Sequence, residues 1–492
     1  MLKLKMLRGC VSMYKLNQAQ LPLLEAMKAY ASRDIASFDV PGHKRGKGAH
    51  LLNDYFGEQL MRLDTNSIPV LDNVGNPTGI IKEAQDLLAD AYNADLAFFM
   101  TNGSTSAIQA MLMSVISPGD HILMPKNSHK SALNGLILCG GIPVYMKSEI
   151  CPQSGLTKNV SMNEIRTQLD AHPDVKAVFI LNPTYFGHVS NLKQIAKLCH
   201  ERGVFLLVDE AHGAHFPFHE QMPPSAMISG ADMSCMSIHK TGGSLTQASA
   251  LVVKTGRVDI NRIKQVVNIF QSTSASYLLM GSLDGARYNL VKNGKKQIAK
   301  AIKLSQTARS ALSQTPGLSV IDDESFYDPT KLIINVSKLV LTGFEVYELL
   351  WRDYDVQLEL CETDYLLAII SLGDCETDID RLVYAMKEIA KKYLRQQAEE
   401  DVLMQALLED SVVAMSPRDA YFSTKELISI DAAAGRIAGE AIMAYPPGIP
   451  IISPGELVTQ GVICSLKDLK AKGALIVDNA DAELEHILVL KT

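Results

Sequence analysis

The chain has little that would tie it to an oxidising compartment or to nucleic acid. Its eight cysteines among 492 residues form no C-x-x-C pair, so neither a disulfide framework nor a cysteine-based zinc site is predicted. The formal net charge is −7, and Lys and Arg are dispersed along the chain. This distribution argues against a binding surface for nucleic acid or anionic lipid. Chemistry on a small molecule is favoured instead.

Long apolar runs are missing as well. No stretch approaches the ~18 apolar residues that a membrane span needs. The basic start, "MLKLKMLRGCVSMYK", lacks the apolar run of about 7 to 15 residues that marks a secretory signal. We therefore predict a cytoplasmic protein without a membrane segment.

Alternating apolar and amphipathic segments predict an α/β architecture. Between about residues 85 and 255 the apolar runs are "LAFFMTNG", "DHILMPKN", "AVFILNPTYFG", "VFLLVDEAHG" and "MSCMSIHK". Continuous apolar runs are typical of parallel strands that are buried on both faces, and such sheets bind ligands at the carboxyl ends of their strands. The predicted parts are an N-terminal arm (1–34), a large domain with a mostly parallel sheet (35–300), a smaller α+β domain (301–396) and a C-terminal domain (397–492). A charged, helix-prone segment, "KKYLRQQAEEDVLMQALLED", leads into the last part.

The stretch "TNGSTSAIQAMLMSV" predicts an anion site between a strand and a helix that begins near Ser106. Gly103, Ser104 and Thr105 would offer backbone N–H groups and two hydroxyls at the helix N-terminus, which suits a phosphate. An ordinary helix N-cap is the alternative interpretation.

The stretch "LLVDEAHGAHFPFH" places Asp209 at the end of a very apolar strand, where an ionised carboxylate needs a cationic partner. "DEAH" also occurs in nucleic-acid helicases, but the phosphate-binding G-x-x-x-x-G-K-[ST] loop is absent. His212, His215 and His219 raise the question of a metal site. Since H-E-x-x-H is missing and a proline interrupts the segment, structural or cofactor-contacting histidines are favoured.

Lys240 in "SIHKTGGSLTQASAL" follows another apolar run. A desolvated lysine amine can form a Schiff base with an aldehyde, and Ser237 and His239 flank it with donors for an anion. Together with the carboxylate of Asp209, these are the groups that pyridoxal 5'-phosphate requires. The alternative, a lysine whose ammonium reaches solvent, explains none of the other groups.

These motifs resemble the Orn/Lys/Arg decarboxylase family of fold-type I pyridoxal-phosphate enzymes, in its shorter bacterial form. The similarity extends over "FDVPGHKRGKG", "PKNSHKSALNG", "LNPTYFG", "VDEAHGAHF", "SIHKTGGSLTQAS", "YDPTKL" and "AYPPGIPIISPGE". It implies a transferase-like large domain, a small domain and a C-terminal decarboxylase domain. The implied reaction is decarboxylation of a basic amino acid in polyamine biosynthesis. Arginine is expected to be the substrate, with lysine and ornithine left open. Met13 is then a second candidate for the natural start.

The resemblance also implies roles for individual residues. Lys240 would hold the cofactor's aldehyde and Asp209 would pair with its pyridinium nitrogen. His212 would lie near its phenolic oxygen, and His129 would stack on its ring and, with Lys240, protonate the product. The phosphate would be held by Gly103, Ser104, Thr105, Ser237 and His239. The active site would lie between two subunits of a homodimer or higher oligomer, where Ser272 and Thr273 reach the partner's phosphate.

Two other functions are weighed against decarboxylation. Aminotransferases usually fix the α-carboxylate with an arginine of the small domain, but Arg309, Arg352, Arg381 and Arg395 are predicted on solvated helix faces. A regulatory protein of this fold would need a DNA-binding domain, and none is legible before residue 35. The side chain of a basic substrate needs an acid, and the candidates are Asp328, Glu359, Asp364 and Glu456.

Overall fold

A seven-stranded sheet organises the large domain. The computed structural model describes residues 14–151, 155–321, 327–395, 411–445 and 448–491. The alternative start at Met13 and most of the predicted charged helix, from residue 396 to 410, lie outside these ranges. The strands of the first 260 residues are β1 (Leu96–Met100), β2 (His121–Pro125), β3 (Ile142–Met146), β4 (Ser148–Ile150), β5 (Thr157–Val160), β6 (Ala177–Leu181), β7 (Phe205–Asp209), β8 (Met233–Met236) and β9 (Ser249–Val253).

The strand order in the large sheet is β1-β9-β8-β7-β6-β2-β3, while β4 and β5 form a separate antiparallel pair. β9 is antiparallel to both of its neighbours, and the pairs from β8 through β3 are parallel. The predicted α/β fold with a mostly parallel sheet is therefore confirmed. The five apolar runs that were predicted as strands are β1, β2, β6, β7 and β8.

Helices cover both faces of this sheet. They are α1 (Pro22–Ser32), α2 (His50–Phe56), α3 (Glu58–Leu63), α4 (Ile80–Ala91), α5 (Gly103–Val115), α6 (Lys130–Cys139), α7 (Met162–Ala171), α8 (Leu192–Glu201), α9 (Ala226–Ser229), α10 (Ile238–Thr241), α11 (Ile260–Phe270) and α12 (Tyr277–Ser313). Because side chains alternate along a strand, Leu206 and Val208 pack into one core with α8 and α12, whereas Leu207 packs with α5 and α11 on the other face.

The 37-residue helix α12 runs from the large domain into the small domain. The small domain has a four-stranded antiparallel sheet, in the order β10-β11-β13-β12. Its elements are β10 (Ser319–Val320), β11 (Lys331–Asn335), α13 (Gly343–Tyr354), β12 (Leu360–Cys361), β13 (Tyr365–Ile369) and α14 (Glu376–Tyr393). Leu304 and Leu312 of α12 pack into its core with Leu332 and Ile334 of β11.

The C-terminal elements form two further small sheets, β14-β18 and β16-β15-β17. The elements are α15 (Pro417–Phe422), β14 (Lys425–Ser429), β15 (Ile442–Tyr445), β16 (Ile449–Ile452), α16 (Gln460–Ala471), β17 (Leu475–Val477) and β18 (His486–Leu490). This region contacts the large domain through an ion pair between Lys126 and the buried Glu456 and through the backbone N–H of Lys130, which donates to the carbonyl of Gly448 (3.1 Å). In the described part of the chain, no helix is long and apolar enough to cross a membrane.

Candidate active site

Three strand ends bring the predicted motifs together at one edge of the sheet. β1 leads into the residues around Ser104, β7 ends at Asp209, and β8 is followed by Ser237 and Lys240. The hydroxyl of Ser237 donates a hydrogen bond to the hydroxyl of Ser104 (2.8 Å). Two residues 133 positions apart in the chain are therefore in direct contact.

The helix of the predicted phosphate motif begins at Gly103, three residues before the predicted start. Gly103 has a φ of +77°, a conformation that glycine adopts without steric cost, and Ser104 and Thr105 consequently lie in the first turn of α5. The helix dipole and the free N–H groups of that turn suit an anion. The backbone N–H of His239 donates to the carbonyl of Ala248 (3.2 Å), and its ring Nδ1 lies 3.1 Å from the same carbonyl oxygen. His239 is therefore fixed beside Ser237.

Asp209 is buried at the end of β7, with 6% of its surface exposed. Its Oδ1 accepts hydrogen bonds from the N–H of Ala211 (3.0 Å) and the thiol of Cys235 (3.6 Å). Burial raises the pKa of Asp209, and the charge of Lys240 opposes that rise. No salt bridge reaches this carboxylate from the described residues, so it lacks the cation that a buried carboxylate needs.

Lys240 lies against a buried histidine. Its Nζ is 2.9 Å from Nε2 of His212 and 5.4 Å from the centre of the Tyr185 ring. Burial lowers the pKa of Lys240, while the charges of Asp209 and Glu359 oppose the lowering. The pKa of His212 is also lowered, first by burial and then by the neighbouring lysines. The amine is thus kept closer to its neutral, nucleophilic form than a solvated lysine.

Two residues that carried no predicted role complete this cluster. The Nζ of Lys331, at the start of β11, is 2.9 Å from Nδ1 of His212, and the Tyr185 ring packs on His212 with its centre 4.5 Å from that of the imidazole. Both residues lie in quoted motifs, "YDPTKL" and "LNPTYFG". The motif letters were the available signal, but they gave no reason to place the two side chains beside Lys240.

His129 forms the N-cap of α6, where its Nδ1 accepts a hydrogen bond from the N–H of Ser131 (3.2 Å). Burial, with a smaller contribution from Lys240, lowers the pKa of His129 to about 4. The ring is therefore neutral at pH 7, and its proton lies on Nε2.

The remaining predicted residues fall into different surroundings. Ser272 and Thr273 lie in an exposed stretch between α11 and α12, where the hydroxyl of Ser272 accepts from the N–H of Ser274 (3.1 Å). His215 is buried with its Nε2 3.5 Å from Oδ2 of Asp328, which makes it part of the protein interior.

The arginine prediction needs two corrections. Arg395 lies beyond the end of α14, and its Nε donates to the carbonyl of Leu339 (3.2 Å), so it is not on a solvated helix face. Arg309 is not solvated, because its guanidinium donates to the carbonyl of Ile321 (2.6 Å) and to that of Lys331 and packs over the Tyr327 ring. The helix-face argument missed these contacts because the two carbonyl groups lie beyond the end of α12, 12 and 22 positions along the chain. Arg352 is exposed, as predicted, and is paired with Asp353.

The residues present fit pyridoxal phosphate on three independent grounds. A buried carboxylate without a cationic partner, Asp209, lies on the register position next to Cys235 of β8. Lys240, a lysine with a lowered pKa, stands four residues after the same strand. The Ser104 and Ser237 hydroxyls meet at the N-terminus of a helix. The cofactor carries an aldehyde, a ring nitrogen that can be protonated and a phosphate, one for each of these groups.

The fold and the lysine-carboxylate-helix arrangement define an enzyme of the fold-type I class. The model of the Orn/Lys/Arg decarboxylase major domain matches residues 21–321, and the model of the C-terminal domain of the same family matches residues 400–472. The chain belongs to the Orn/Lys/Arg decarboxylase family. The predicted resemblance is thereby confirmed.

Individual relatives agree with this assignment. The chain is 39% identical over 482 residues to an arginine decarboxylase of Halalkalibacterium halodurans, covering 96% of this chain and 98% of that protein. It is 40% identical over 489 residues to an arginine decarboxylase of Bacillus subtilis, covering 97% and 99%. Among solved structures, lysine decarboxylase A from Pseudomonas aeruginosa superimposes with a TM-score of 0.84 at 22% identity, covering 96% of this chain and 81% of that one.

Proposed function

We propose that this protein is a pyridoxal-phosphate-dependent arginine decarboxylase that forms agmatine and carbon dioxide. The observation that carries the proposal is the convergence of Lys240, Asp209 and the Ser104–Ser237 pair at one edge of the sheet. The names of the relatives that match nearly the full chain support arginine as the substrate.

The cofactor, when bound, accepts the electron pair that the departing carboxylate leaves at the α-carbon. Asp209 would hold the ring nitrogen in its protonated form, since a buried carboxylate favours a cation beside it. Ser104, Thr105, Ser237 and the first turn of α5 would orient the phosphate, with Gly103 permitting the close approach. His239 would add a ring nitrogen on the same side.

Lys240 and His129 would have different roles because their protonation states differ. The amine of Lys240 would hold the cofactor's aldehyde and later deliver a proton to the α-carbon. His129 is neutral at pH 7 because burial lowers its pKa to about 4, which suits stacking on the ring better than supplying a proton. His212 presents its Nε2 to the site beside Lys240 and would contact the phenolic oxygen.

Glu359 is the acid that we assign to the substrate's guanidinium. Burial lowers the pKa of Lys240, His239 and Lys331, and the negative charge of Glu359 opposes that lowering in all three. The carboxylate is exposed, so it is accessible to a ligand in the cleft. Another candidate, Asp328, already has partners in the interior, because its carboxylate accepts hydrogen bonds from the N–H and the hydroxyl of Thr330.

The other partnered candidate is Glu456, which is paired with Lys126. The exposed Glu359 therefore remains for the substrate, since a guanidinium and a carboxylate can form two parallel, charge-assisted hydrogen bonds.

An apolar setting around the α-carboxylate of the substrate would favour its loss as carbon dioxide, because losing the charge relieves desolvation.

We further propose a cytoplasmic homodimer that acts in polyamine biosynthesis, with the arm, large, small and C-terminal parts divided near residues 34, 300 and 396. Ser272 and Thr273 are exposed, which supports a contact between their hydroxyls and the phosphate site of a partner subunit.

Parallel incubation of the cofactor-loaded protein with arginine, lysine and ornithine tests the proposal. Agmatine and carbon dioxide should form from arginine at the highest kcat/KM. Preferred turnover of lysine or ornithine would reject the substrate assignment alone. Formation of a keto acid from arginine would reject decarboxylation itself.

A further inference from the structure

Lys331 is a fully buried lysine that the proposed chemistry leaves without a task. It opens β11 with none of its surface exposed, although lysine is among the residues least often buried unless paired. The surrounding structure is built closely around its stem. A Cβ placed on Gly187 would meet Cγ of Lys331 at 3.0 Å, and the hydroxyl of Tyr327 donates to its carbonyl oxygen (3.0 Å).

The ammonium end points at the active site through one imidazole ring. Nζ of Lys331 and Nζ of Lys240 each lie 2.9 Å from His212, on Nδ1 and Nε2 respectively. Tyr185 packs on the same ring, and both lysine nitrogens lie near its face, at 6.0 and 5.4 Å from its centre. Lys331, His212 and Lys240 therefore form a continuous chain of contacts from the small domain to the reactive amine.

The donor inventory of these groups decides where the imidazole proton lies. An ammonium group has three donors and no acceptor, so Nδ1 of a histidine bound to it must be the acceptor. A neutral imidazole then carries its proton on Nε2. That N–H points at Nζ of Lys240, which can accept it only as an uncharged amine.

We propose that Lys331 is a positioning residue, whose ammonium fixes the proton of His212 on Nε2 and thereby favours the uncharged form of the Lys240 amine. Lys331 touches neither the cofactor nor the substrate in this role. It acts through the histidine, from a different domain.

Burial lowers the pKa of both lysines that contact His212. Burial lowers the pKa of Lys331 to about 8, against the charges of Asp328 and Glu359, so its ammonium form predominates at pH 7. Burial and the surrounding cations keep His212 neutral by lowering its pKa. The titratable groups that interact with Lys240 from the elements packed around it are His129, Tyr185, Asp209, His212, Cys235, His239, Lys331 and Glu359.

The variant Lys331→Met removes the donor and keeps most of the stem. His212 can then place its proton on either nitrogen and accept a hydrogen bond from a charged Lys240. We expect the pKa of the Lys240 amine to rise by roughly one unit, which makes that amine about tenfold less reactive at a pH below its pKa. Competitive labelling of the full-length protein, freed of cofactor, followed by mass spectrometry of the peptide containing Lys240, measures this pKa directly.

A double-mutant cycle separates action through the histidine from direct charge repulsion. In the His212→Gln background, Lys331→Met should no longer change the labelling of Lys240. Lys331→Arg keeps a charged donor and should stay closer to the unmodified protein than Lys331→Met. Lys126→Met is the control, because it removes another largely buried lysine that does not contact His212, and it should leave the pKa of Lys240 unchanged.

An unshifted Lys240 in a folded Lys331→Met variant would overturn the proposal, as would an equal shift in the His212→Gln background. If Lys331→Met does not fold, the nitrogen-15 shifts of His212 in the unmodified protein decide, since a protonated Nδ1 would contradict the assignment. The inference rests on the proposed role of Lys240. The labelling measures the amine itself, however, so a protein that fails to decarboxylate arginine can still show the shift.

Discussion

Replacing Asp209 by Asn should act in opposite directions on the stability of the cofactor-free protein and on catalysis. The side chains have the same shape, and the amide oxygen can keep the hydrogen bond from the N–H of Ala211. The change removes one negative charge from a position that is 6% exposed. It therefore isolates the charge from the packing.

The sign of the stability effect follows from the raised pKa of Asp209. A carboxyl group whose pKa is higher in the folded chain stabilises the fold while protonated, and this stability is lost as the pH rises from the unfolded value of about 3.9 through the folded one. At pH 7 the cofactor-free protein is destabilised by the buried negative charge of Asp209, whereas the Asn variant carries no charge at this position. Its free energy of unfolding should equal or exceed that of the unmodified protein.

The loaded enzyme should respond in the other direction. Removing one partner of a buried charge pair costs about 3–5 kcal/mol. If that charge is needed in the transition state, kcat should decrease by roughly 2 × 10²- to 5 × 10³-fold. Denaturant unfolding without cofactor and steady-state kinetics with arginine measure the two effects. Asp232→Asn is the control for stability, because that carboxylate pairs with Arg257 (3.1 Å) and its loss should destabilise the fold. A destabilised cofactor-free Asp209→Asn protein with kcat within tenfold of the unmodified enzyme would refute the reasoning.

Three further changes test other contacts. The pKa of His129 is lowered to about 4, so the contribution of its neutral ring to stability is lost as the pH falls from about 6.5 toward 4. His129→Gln should flatten the dependence of the free energy of unfolding on pH in this range. An unchanged slope would contradict the lowered pKa. Glu359→Gln should raise KM for arginine about ten- to hundredfold, the loss of a charged hydrogen bond of about 1.5–3 kcal/mol, whereas a larger effect from Asp364→Asn would reassign the substrate acid. Lys126→Met should lower the free energy of unfolding by about 3–5 kcal/mol through the unpaired charge of Glu456, and adding Glu456→Gln should recover part of it; strictly additive losses would argue against the pair.

Local rules were sufficient to predict the strands that carry the site. Asp209 and Lys240 each stand at or just after the end of a buried apolar run, and parallel packing places such ends at one edge. The position of β9 was not predicted, because its apolar run looks like that of a parallel strand and only the short connection from Lys240 reverses its direction. Pairing partners of this kind depend on topology, which the hydrophobic pattern does not record.

Lys331 shows why the rest of the site escaped prediction. Lys331 is 91 residues from Lys240 and begins a strand of the small domain. The sequence therefore offered no reason to distinguish it from an ordinary strand residue. Its burial and its contact with His212 arise only when the small domain packs on the large one. Arg309 escaped for a different reason, because its partners, the carbonyl groups of residues 321 and 331, belong to the small domain itself and are brought to it only by the folding of that domain.

The central claim is that the Lys240 amine holds pyridoxal phosphate and serves the decarboxylation of arginine. The most direct measurement compares the unmodified protein with Lys240→Ala, each mixed with the cofactor and then with arginine, by absorbance and by product analysis. The unmodified protein should show a cofactor band near visible wavelengths and release agmatine and carbon dioxide in equal amounts, and Lys240→Ala should do neither. A band and agmatine formation that persist in Lys240→Ala would contradict the account.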